Sequence, residues 1–307
     1  MSTRSEPLYF GYGSNLDVDD FARWTREAGF RDARLKLVQR AFLPDHALVF
    51  HYHSESRGGG ALDVTPCRHA LVPGALFTLT GDASQALDQK EGAGQRYARV
   101  SIQALTEDGA MHDAFTYRVR PDHVSGAFVA PTPAYLEIVR AGLARVGQRA
   151  DALEHAAAAE STGGSDPSPP PWPAEVFVYG TLRRGQCREE RMRRHRPTRV
   201  EEGWLAGKLF DLGPYPGLVL SGVDEVHGEL WTYEETSALL DTLDEVEDFH
   251  GFGAPGSLYH RVLVTVRDAK GSGRVAWTYV YVGELEGARH IPSGRYGESA
   301  SARISRP

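Results

Sequence analysis

Cysteine is nearly absent. Cys67 and Cys187 are the two in 307 residues, too few for a disulfide framework or a cysteine-rich zinc site, and small buried side chains are their default reading. Long apolar runs are also missing. No stretch approaches the ~18 apolar residues that a membrane span needs, and Met1-Ser2-Thr3-Arg4-Ser5-Glu6 carries no apolar leader core. Basic excess is missing as well. The 34 Lys+Arg stand against 41 Asp+Glu for a net charge of -7, which disfavours a protein living on phosphate contacts. What is present is ordinary for a soluble, cytoplasmic globular chain: 41% hydrophobic and 24% charged residues. The length is about twice that of a common ~150-residue domain, so two domains are expected.

Composition shifts between His155 and Pro173, where an Ala-rich stretch gives way to Ser161-Thr162-Gly163-Gly164-Ser165-Asp166 and then to Pro169-Pro170-Pro171. With few large apolar side chains, and prolines that donate no backbone hydrogen bond, this segment reads as a linker. The expected division is a domain over 1–154, a linker over 155–173 and a domain over 174–307.

The two halves repeat one another. Leu8-Tyr9-Phe10-Gly11-Tyr12-Gly13-Ser14-Asn15-Leu16 is matched after the linker by Glu175-Val176-Phe177-Val178-Tyr179-Gly180-Thr181-Leu182. Both read as a buried strand entering a Gly turn. Each half then carries Leu-Asp-x-x-Glu on a helical stretch, Leu87 to Glu91 and Leu243 to Glu247. Each follows it with Tyr-x-Arg and a β-rich run, at Tyr97 and Tyr259. Further strands are expected over 47–52, 74–79, 205–209, 228–233 and 275–282, and helices over 17–28, 83–91, 134–155, 188–195 and 234–247. The fold class is α+β: two copies of a small mixed barrel or curved sheet with helices outside.

A Gly turn at a strand end lets backbone N–H groups converge without a Cβ in the way, which suits a carboxylate or a developing oxyanion. Capping of the next helix by Ser14 or Thr181 is the simpler reading of the same residues. Asp and Glu three apart share a helix face, and Glu91 stands immediately before Gly92, a natural helix stop. A carboxylate at a helix C-terminus sits against the unfavourable end of the dipole, which raises its pKa and suits a group that takes up a proton and returns it. A solvated acidic helix end is the alternative.

These residues resemble the γ-glutamylcyclotransferase family. The signature Tyr-Gly-Ser-Asn-Leu matches Tyr12 to Leu16, and Leu-Asp-x-x-Glu-Gly matches Leu87 to Gly92. Arg57-Gly58-Gly59-Gly60-Ala61 and Pro131 to Leu136 extend the likeness over nearly all of 7–150. The second half resembles the γ-glutamylamine cyclotransferase or AIG2-like branch, through Val178 to Gln186, Leu209 to Gly217 and Val226 to Leu230. The resemblance implies intramolecular aminolysis, releasing 5-oxoproline and an amine or amino acid. Glu91 and Glu247 would be the general bases and acids. The segments Tyr9-Phe10-Gly11-Tyr12-Gly13-Ser14-Asn15-Leu16 and Tyr179-Gly180-Thr181-Leu182 would hold the glutamyl part, and Tyr135 would help close the first pocket. The partner is a small γ-glutamyl amino acid or amine; no metal, organic cofactor, nucleic acid or membrane is implied, and oligomeric state stays open.

The second half departs from the pattern. It has Glu247-Asp248-Phe249 in place of Glu-Gly, and an insert from His250 to Leu258 is placed to reshape or cover its pocket. Gly11 stands where a small alanine is usual. Rival readings are a non-catalytic binding module of the same fold and removal of a γ-glutamyl protecting group from a biosynthetic intermediate. Ser14 and Thr181 lack the surroundings of a nucleophile. His51-Tyr52-His53 reads as polar strand positions rather than as a metal site. The eight arginines between Arg183 and Arg199, interleaved with Glu189 and Glu190, read as a solvated face rather than an RNA surface.

Overall fold

The structure, a computed structural model, describes residues 8–159 and 172–297. The expected linker over 155–173 lies mostly outside them, at 160–171. The described residues fall into two compact units.

The first unit contains strands β1 (Leu8–Gly11), β2 (Arg34–Ser54), β3 (Gly59–Thr80), β4 (Tyr97–Leu105) and β5 (Met111–Val119), with helices α1 (Val18–Glu27), α2 (Ala83–Glu91), α3 (Pro133–Arg145) and α4 (Asp151–Ala157). The strands close a barrel in the order β1-β3-β2-β4-β5. Closure comes from β1 lying parallel to β5, Leu8 opposite Ala114 and Tyr9 opposite Phe115. The remaining ladders are antiparallel. Phe10, Leu76, Phe77 and Leu87 fill the core and are fully buried.

The second unit repeats this order with β6 (Glu175–Val178), α5 (Glu189–Arg193), β7 (Arg199–Asp211), β8 (Pro216–Thr232), α6 (Ser237–Val246), β9 (Tyr259–Asp268), β10 (Gly273–Tyr281) and a two-residue β11 (Arg289–His290). Its sheet runs β11-β7-β8-β6-β10-β9 and closes by pairing β7 with β9. Here too the first strand is parallel to the last long one, Val176 opposite Trp277. Each unit is therefore the expected α+β barrel with few flanking helices.

Local readings differ in extent. β2 runs 21 residues and starts well before the expected strand at 47. Its register shifts between Leu37 and Gln39, Pro44 and His46, and Val49 and Tyr52 break the alternation that marks a strand in sequence. The helix expected over 134–155 is two helices parted at Gly147, whose φ is +73°. α4 also continues past the expected domain end at 154.

One glycine in each unit lies where the first strand crosses close over its antiparallel neighbour. A Cβ on Gly74 would stand 2.4 Å from the Gly11 carbonyl oxygen, and one on Gly228 would stand 2.4 Å from that of Val178. Both contacts are with backbone, so the strand itself would have to move. Gly74→Ala and Gly228→Ala should each destabilise their unit at or above the top of the roughly 1–3 kcal/mol range for overpacking. Urea denaturation of each variant measures this, and an unchanged midpoint would contradict the close approach.

Candidate functional site

In the first unit β1 runs through Tyr12 and Gly13 into a single 3-10 turn, Ser14–Leu16, and Asp17 then caps α1 by accepting from the N–H groups of Asp19 and Asp20. Two tyrosines tie this turn to α2. Tyr12 donates its hydroxyl to the Tyr117 carbonyl (2.7 Å), and the Tyr117 hydroxyl donates to Asp88 Oδ1 (2.6 Å). α2 ends at Glu91 because Gly92 takes the left-handed conformation, φ +62°, and Ala93 N–H closes onto the Asp88 carbonyl.

That ending aims Glu91 at the turn. Asn15 Nδ2 donates to Glu91 Oε1 at 2.7 Å and to the Tyr9 hydroxyl at 3.0 Å, and Lys90 Nζ donates to Asn15 Oδ1 at 2.5 Å. From the β2–β3 turn, Arg57 donates to Ser14 Oγ (3.1 Å) and its guanidinium lies 5.3 Å from the Tyr135 ring centre. Tyr135 is delivered by α3, whose first turn is set by Pro133 and by Thr132 Oγ1 accepting from Tyr135 N–H. Its hydroxyl accepts from Leu62 N–H at 3.2 Å.

These groups face a cavity of about 270 Å³ whose walls include Ser14, Arg57, Lys90, Glu91, Tyr97 and Tyr135, with Arg23, Trp24 and Glu27 on the α1 side. Asp20 is the anionic hub of the wall: it pairs with Arg23 and lies 3.6 Å from Lys90 and 3.7 Å from Arg57. Burial pushes the Tyr135 phenol up to about 12 and the Tyr9 phenol higher still, so both remain protonated at neutral pH. Burial also pulls the Lys90 ammonium below its ordinary value, against the pull of Glu91 and Asp20.

The second unit reproduces the frame. Tyr179 donates to the Tyr279 carbonyl (2.8 Å), and the Tyr279 hydroxyl donates to Asp244 Oδ1 (2.7 Å). Asp248 does the work of Gly92: it takes a left-handed conformation, φ +52°, tolerated by Asp better than by most residues, and Phe249 N–H closes onto the Asp244 carbonyl. The departure from Glu-Gly in sequence is thus absorbed without changing the backbone path. The cavity around Glu247 is much smaller, about 30 Å³, and Tyr179, Gly180, Thr181, Leu182, Arg188 and Tyr215 are among its walls. That is room for a water or two. The insert over 250–258 is not what closes it. Phe252 packs instead on Phe249 and the Arg261 guanidinium, and the pocket is walled by Tyr215 of the β7–β8 turn and by Pro216 at the start of β8.

Burial pushes the Glu247 carboxyl up to about 7 from an ordinary 4.5, with Arg188 opposing. A carboxyl whose folded-state pKa is raised holds its proton more tightly folded than unfolded. Its contribution to stability is complete below pH 4.5 and is lost as pH rises through about 7. Glu247→Gln should therefore raise the midpoint of thermal unfolding at pH 8 and leave it unchanged at pH 4. Equal shifts at both pH values would contradict the burial.

Not every residue expected at the pockets lies there. Phe10 and Leu16 are core residues with no exposed surface, and Gly11 is packed against the Phe77 ring. Phe10 and Gly11 alternate across β1 and are covered on opposite faces, and the 3-10 turn points Leu16 inward. Tyr9 stands behind Asn15, and Tyr12 braces β5. Ser14, Glu91 and Tyr135 line the first cavity; Tyr179, Gly180, Thr181, Leu182 and Glu247 line the second. Asp88 and Glu91, expected to work from one helix face, part company, with Asp88 taking the Tyr117 hydroxyl. Of the eight arginines, Arg184, Arg193 and Arg199 pair with Glu229, Glu189 and Glu201, while Arg188 enters the second pocket. His51 bonds Asp63 at 2.7 Å. Sequence reasoning gave no role to Arg57, Lys90, Tyr117, Arg188 or Tyr279. Tyr117 and Tyr279 had a signal, since Phe115-Thr116-Tyr117 and Trp277-Thr278-Tyr279 form a further repeat. Thr116 and Thr278 each donate to the first-strand carbonyl, Phe10 at 2.8 Å and Phe177 at 2.9 Å.

A barrel whose first strand ends in a Tyr-Gly turn facing a helix-terminal glutamate, found twice, defines a class of small α+β proteins with a pocket at that glutamate in each barrel. The chain belongs to the γ-glutamyl cyclotransferase, AIG2-like family, whose sequence profile matches residues 9–136 and 176–298. Among curated relatives, the γ-L-glutamyl-butirosin B γ-glutamyl cyclotransferase of Niallia circulans is 37% identical over 107 residues, 34% of this chain and 65% of that protein. The chain thus spans just under two thirds of that relative. Solved structures similar to the chain include an AIG2-like protein from Mus musculus, with 26% identity over 44% of this chain and 95% of that one and a TM-score of 0.34. YkqA from Bacillus subtilis shows 14% identity over 91% and 84% of the two chains, with a TM-score of 0.34. No helix among the described residues is long and apolar enough to cross a membrane.

Proposed function

We propose that the first barrel converts a γ-glutamyl compound into 5-oxoproline and a free amine or amino acid. The α-amine attacks its own γ-carbonyl carbon, the ring C–N bond forms and the amide bond to the leaving nitrogen breaks. Glu91 takes one proton from the α-ammonium so that the amine can attack, and gives it to the leaving nitrogen as the amide bond breaks. The further proton shed by the ring nitrogen goes to the freed amine, which departs as its ammonium, so the reaction balances with one carboxylate and no redox change. Because the nucleophile is within the substrate, the protein has to supply orientation, one proton shuttle and hydrogen-bond donors, and the chemistry calls for no metal or organic cofactor. The backbone of Tyr12-Gly13-Ser14 is the proposed holder of the glutamyl part, with the Arg57 cation and the Tyr135 ring beside it.

The observation that carries this reading is the 2.7 Å contact between Asn15 and Glu91, which joins the Tyr-Gly turn to the helix-terminal carboxylate in a cavity large enough for a γ-glutamyl group. Glu247 is the proposed counterpart in the second barrel, where the pocket must widen at Tyr215 and Pro216 before a glutamyl group enters. A second reading is favoured by the Niallia circulans relative, whose substrate carries its γ-glutamyl group on butirosin B: removal of such a group from a larger biosynthetic intermediate. Mass-spectrometric measurement of 5-oxoproline release separates these, using a panel of γ-glutamyl amino acids, small γ-glutamyl amines and bulky γ-glutamyl amine conjugates. Release from amino acids or small amines supports the first reading, and release confined to bulky conjugates supports the second. No release from any member overturns both.

A further inference from the structure

Asn15 stands between two groups of fixed hydrogen-bonding character. Lys90 Nζ can only donate, and the ionised Glu91 carboxylate can only accept. The Asn15 side chain has one accepting end and one donating end, so a single orientation satisfies both neighbours. Its oxygen faces Lys90 at 2.5 Å, and its NH₂ is left for Glu91 at 2.7 Å and the Tyr9 hydroxyl at 3.0 Å. Turned over, the amide would set its oxygen against the carboxylate and its NH₂ against the ammonium, losing both bonds in a poorly solvated site where each counts for more than in water. The Lys90 side chain is 7% exposed. Asp20 at 3.6 Å compensates its charge, and the Phe21 ring, 5.7 Å from Nζ, helps to confine it.

We propose that Lys90 is a positioning residue for Glu91, acting through Asn15: the ammonium anchors the amide oxygen and so locks the NH₂ end onto the carboxylate, and the amide in turn holds the carboxylate toward the Tyr-Gly turn. This rests on the reading of Glu91 as the proton shuttle. Lys90 needs no contact with substrate in this role. The second barrel lacks the device altogether. By position in the repeat, Leu182 stands for Asn15 and Val246 for Lys90, and neither can orient Glu247. Its carboxyl is instead pushed up to about 7 by burial. The two glutamates of one chain thus sit in two physically different settings, one met by a directed hydrogen bond and the other buried enough to favour its protonated form.

The test uses the full chain with Lys90→Met, Lys90→Gln and Lys90→Arg, read in two ways. The first readout needs no turnover. The NMR signals of the Asn15 side-chain NH₂ should shift on Glu91→Gln in the wild-type background and respond less to that change in Lys90→Met or Lys90→Gln. A methyl cannot donate, and a second amide can donate or accept, so neither holds the amide oxygen, and the carboxylate's own preference is left to orient the amide. Lys90→Arg, still a donor without an acceptor, should restore the response. The second readout is kinetic. In Lys90→Met, kcat should fall roughly 10- to 100-fold, the scale of a misoriented catalytic group, while KM stays within about threefold. An NMR response as large without a donor at position 90 as with one, or an unchanged kcat in an otherwise active protein, overturns the proposal. A wild type that shows the coupling and has it weakened in Lys90→Met, yet releases no 5-oxoproline, upholds the orientation by Lys90 and overturns the reaction assigned to Glu91.

Discussion

Glu91→Gln should cut 5-oxoproline release from the first barrel by about 10²–10⁴-fold, the range for loss of a general acid–base group. The substitution is nearly isosteric, and the glutamine oxygen can still accept from Asn15 Nδ2, the 2.7 Å bond of the native site. Gly92 still ends α2 in its left-handed conformation, and Asp88 still takes the Tyr117 hydroxyl. What is removed is the capacity to accept the α-ammonium proton. The loss should therefore fall on kcat, with the melting temperature and KM little altered. Running Glu247→Gln beside it assigns the activity: release that disappears with one variant and survives the other identifies the working barrel. Activity retained in the Glu91→Gln/Glu247→Gln double variant would sink the mechanism in both barrels.

The largest stability effect is expected at Asp244. Arg261 donates to both of its carboxylate oxygens, at 3.0 and 2.8 Å, and the Tyr279 hydroxyl adds a third bond at 2.7 Å. The Arg261 side chain is 1% exposed and that of Asp244 9%. The guanidinium is further enclosed by the rings of Phe249, Phe252 and Trp277, at 5.3, 5.1 and 5.1 Å. Asp244→Ala would take both carboxylate bonds from a buried cation, so a cost of about 3–5 kcal/mol to the second unit follows. Four of the five tryptophans, at 172, 204, 231 and 277, belong to the second half, so tryptophan fluorescence in a urea titration reports chiefly on it. The contrast with Asp88→Ala makes the argument specific. Asp88 is partly exposed and takes the Tyr117 hydroxyl, so its removal leaves no buried ion, and a loss near 1–3 kcal/mol is expected. Equal losses at the two positions would show that the ion pair adds nothing beyond the tyrosine bond.

The same pair of aspartates shows how far a local pattern reaches. Leu-Asp-x-x-Glu announces a helix and a shared face, and the helix is there in both barrels. Yet the chain turns back at Gly92 and at Asp248, and this sends the glutamate to the pocket while the aspartate stays beneath to brace the last long strand. Conformational preference decided the turn. Which tyrosine waited for the aspartate was decided by the register of β4 on β5 and of β9 on β10, which no short segment encodes.

The sequence by itself determined what depends on neighbouring residues and on likeness between the halves. Two copies of one barrel were visible in the order of Tyr-Gly turn, Leu-Asp-x-x-Glu and Tyr-x-Arg, and the glutamate at each helix end was visible from the residues beside it. The tertiary structure alone decided which side chains meet. Asn15 and Lys90 lie 75 residues apart, and Tyr12 and Tyr117 lie 105 apart. Closure of β1 against β5 and the fall of the β2–β3 turn over Ser14 bring Lys90 and Arg57 to one carboxylate. It likewise decided that the second pocket holds about 30 Å³ where the first holds about 270 Å³. Periodicity reports how a residue faces its own element, but the partners it finds are set by long-range packing, and that packing exists only once the barrel has closed.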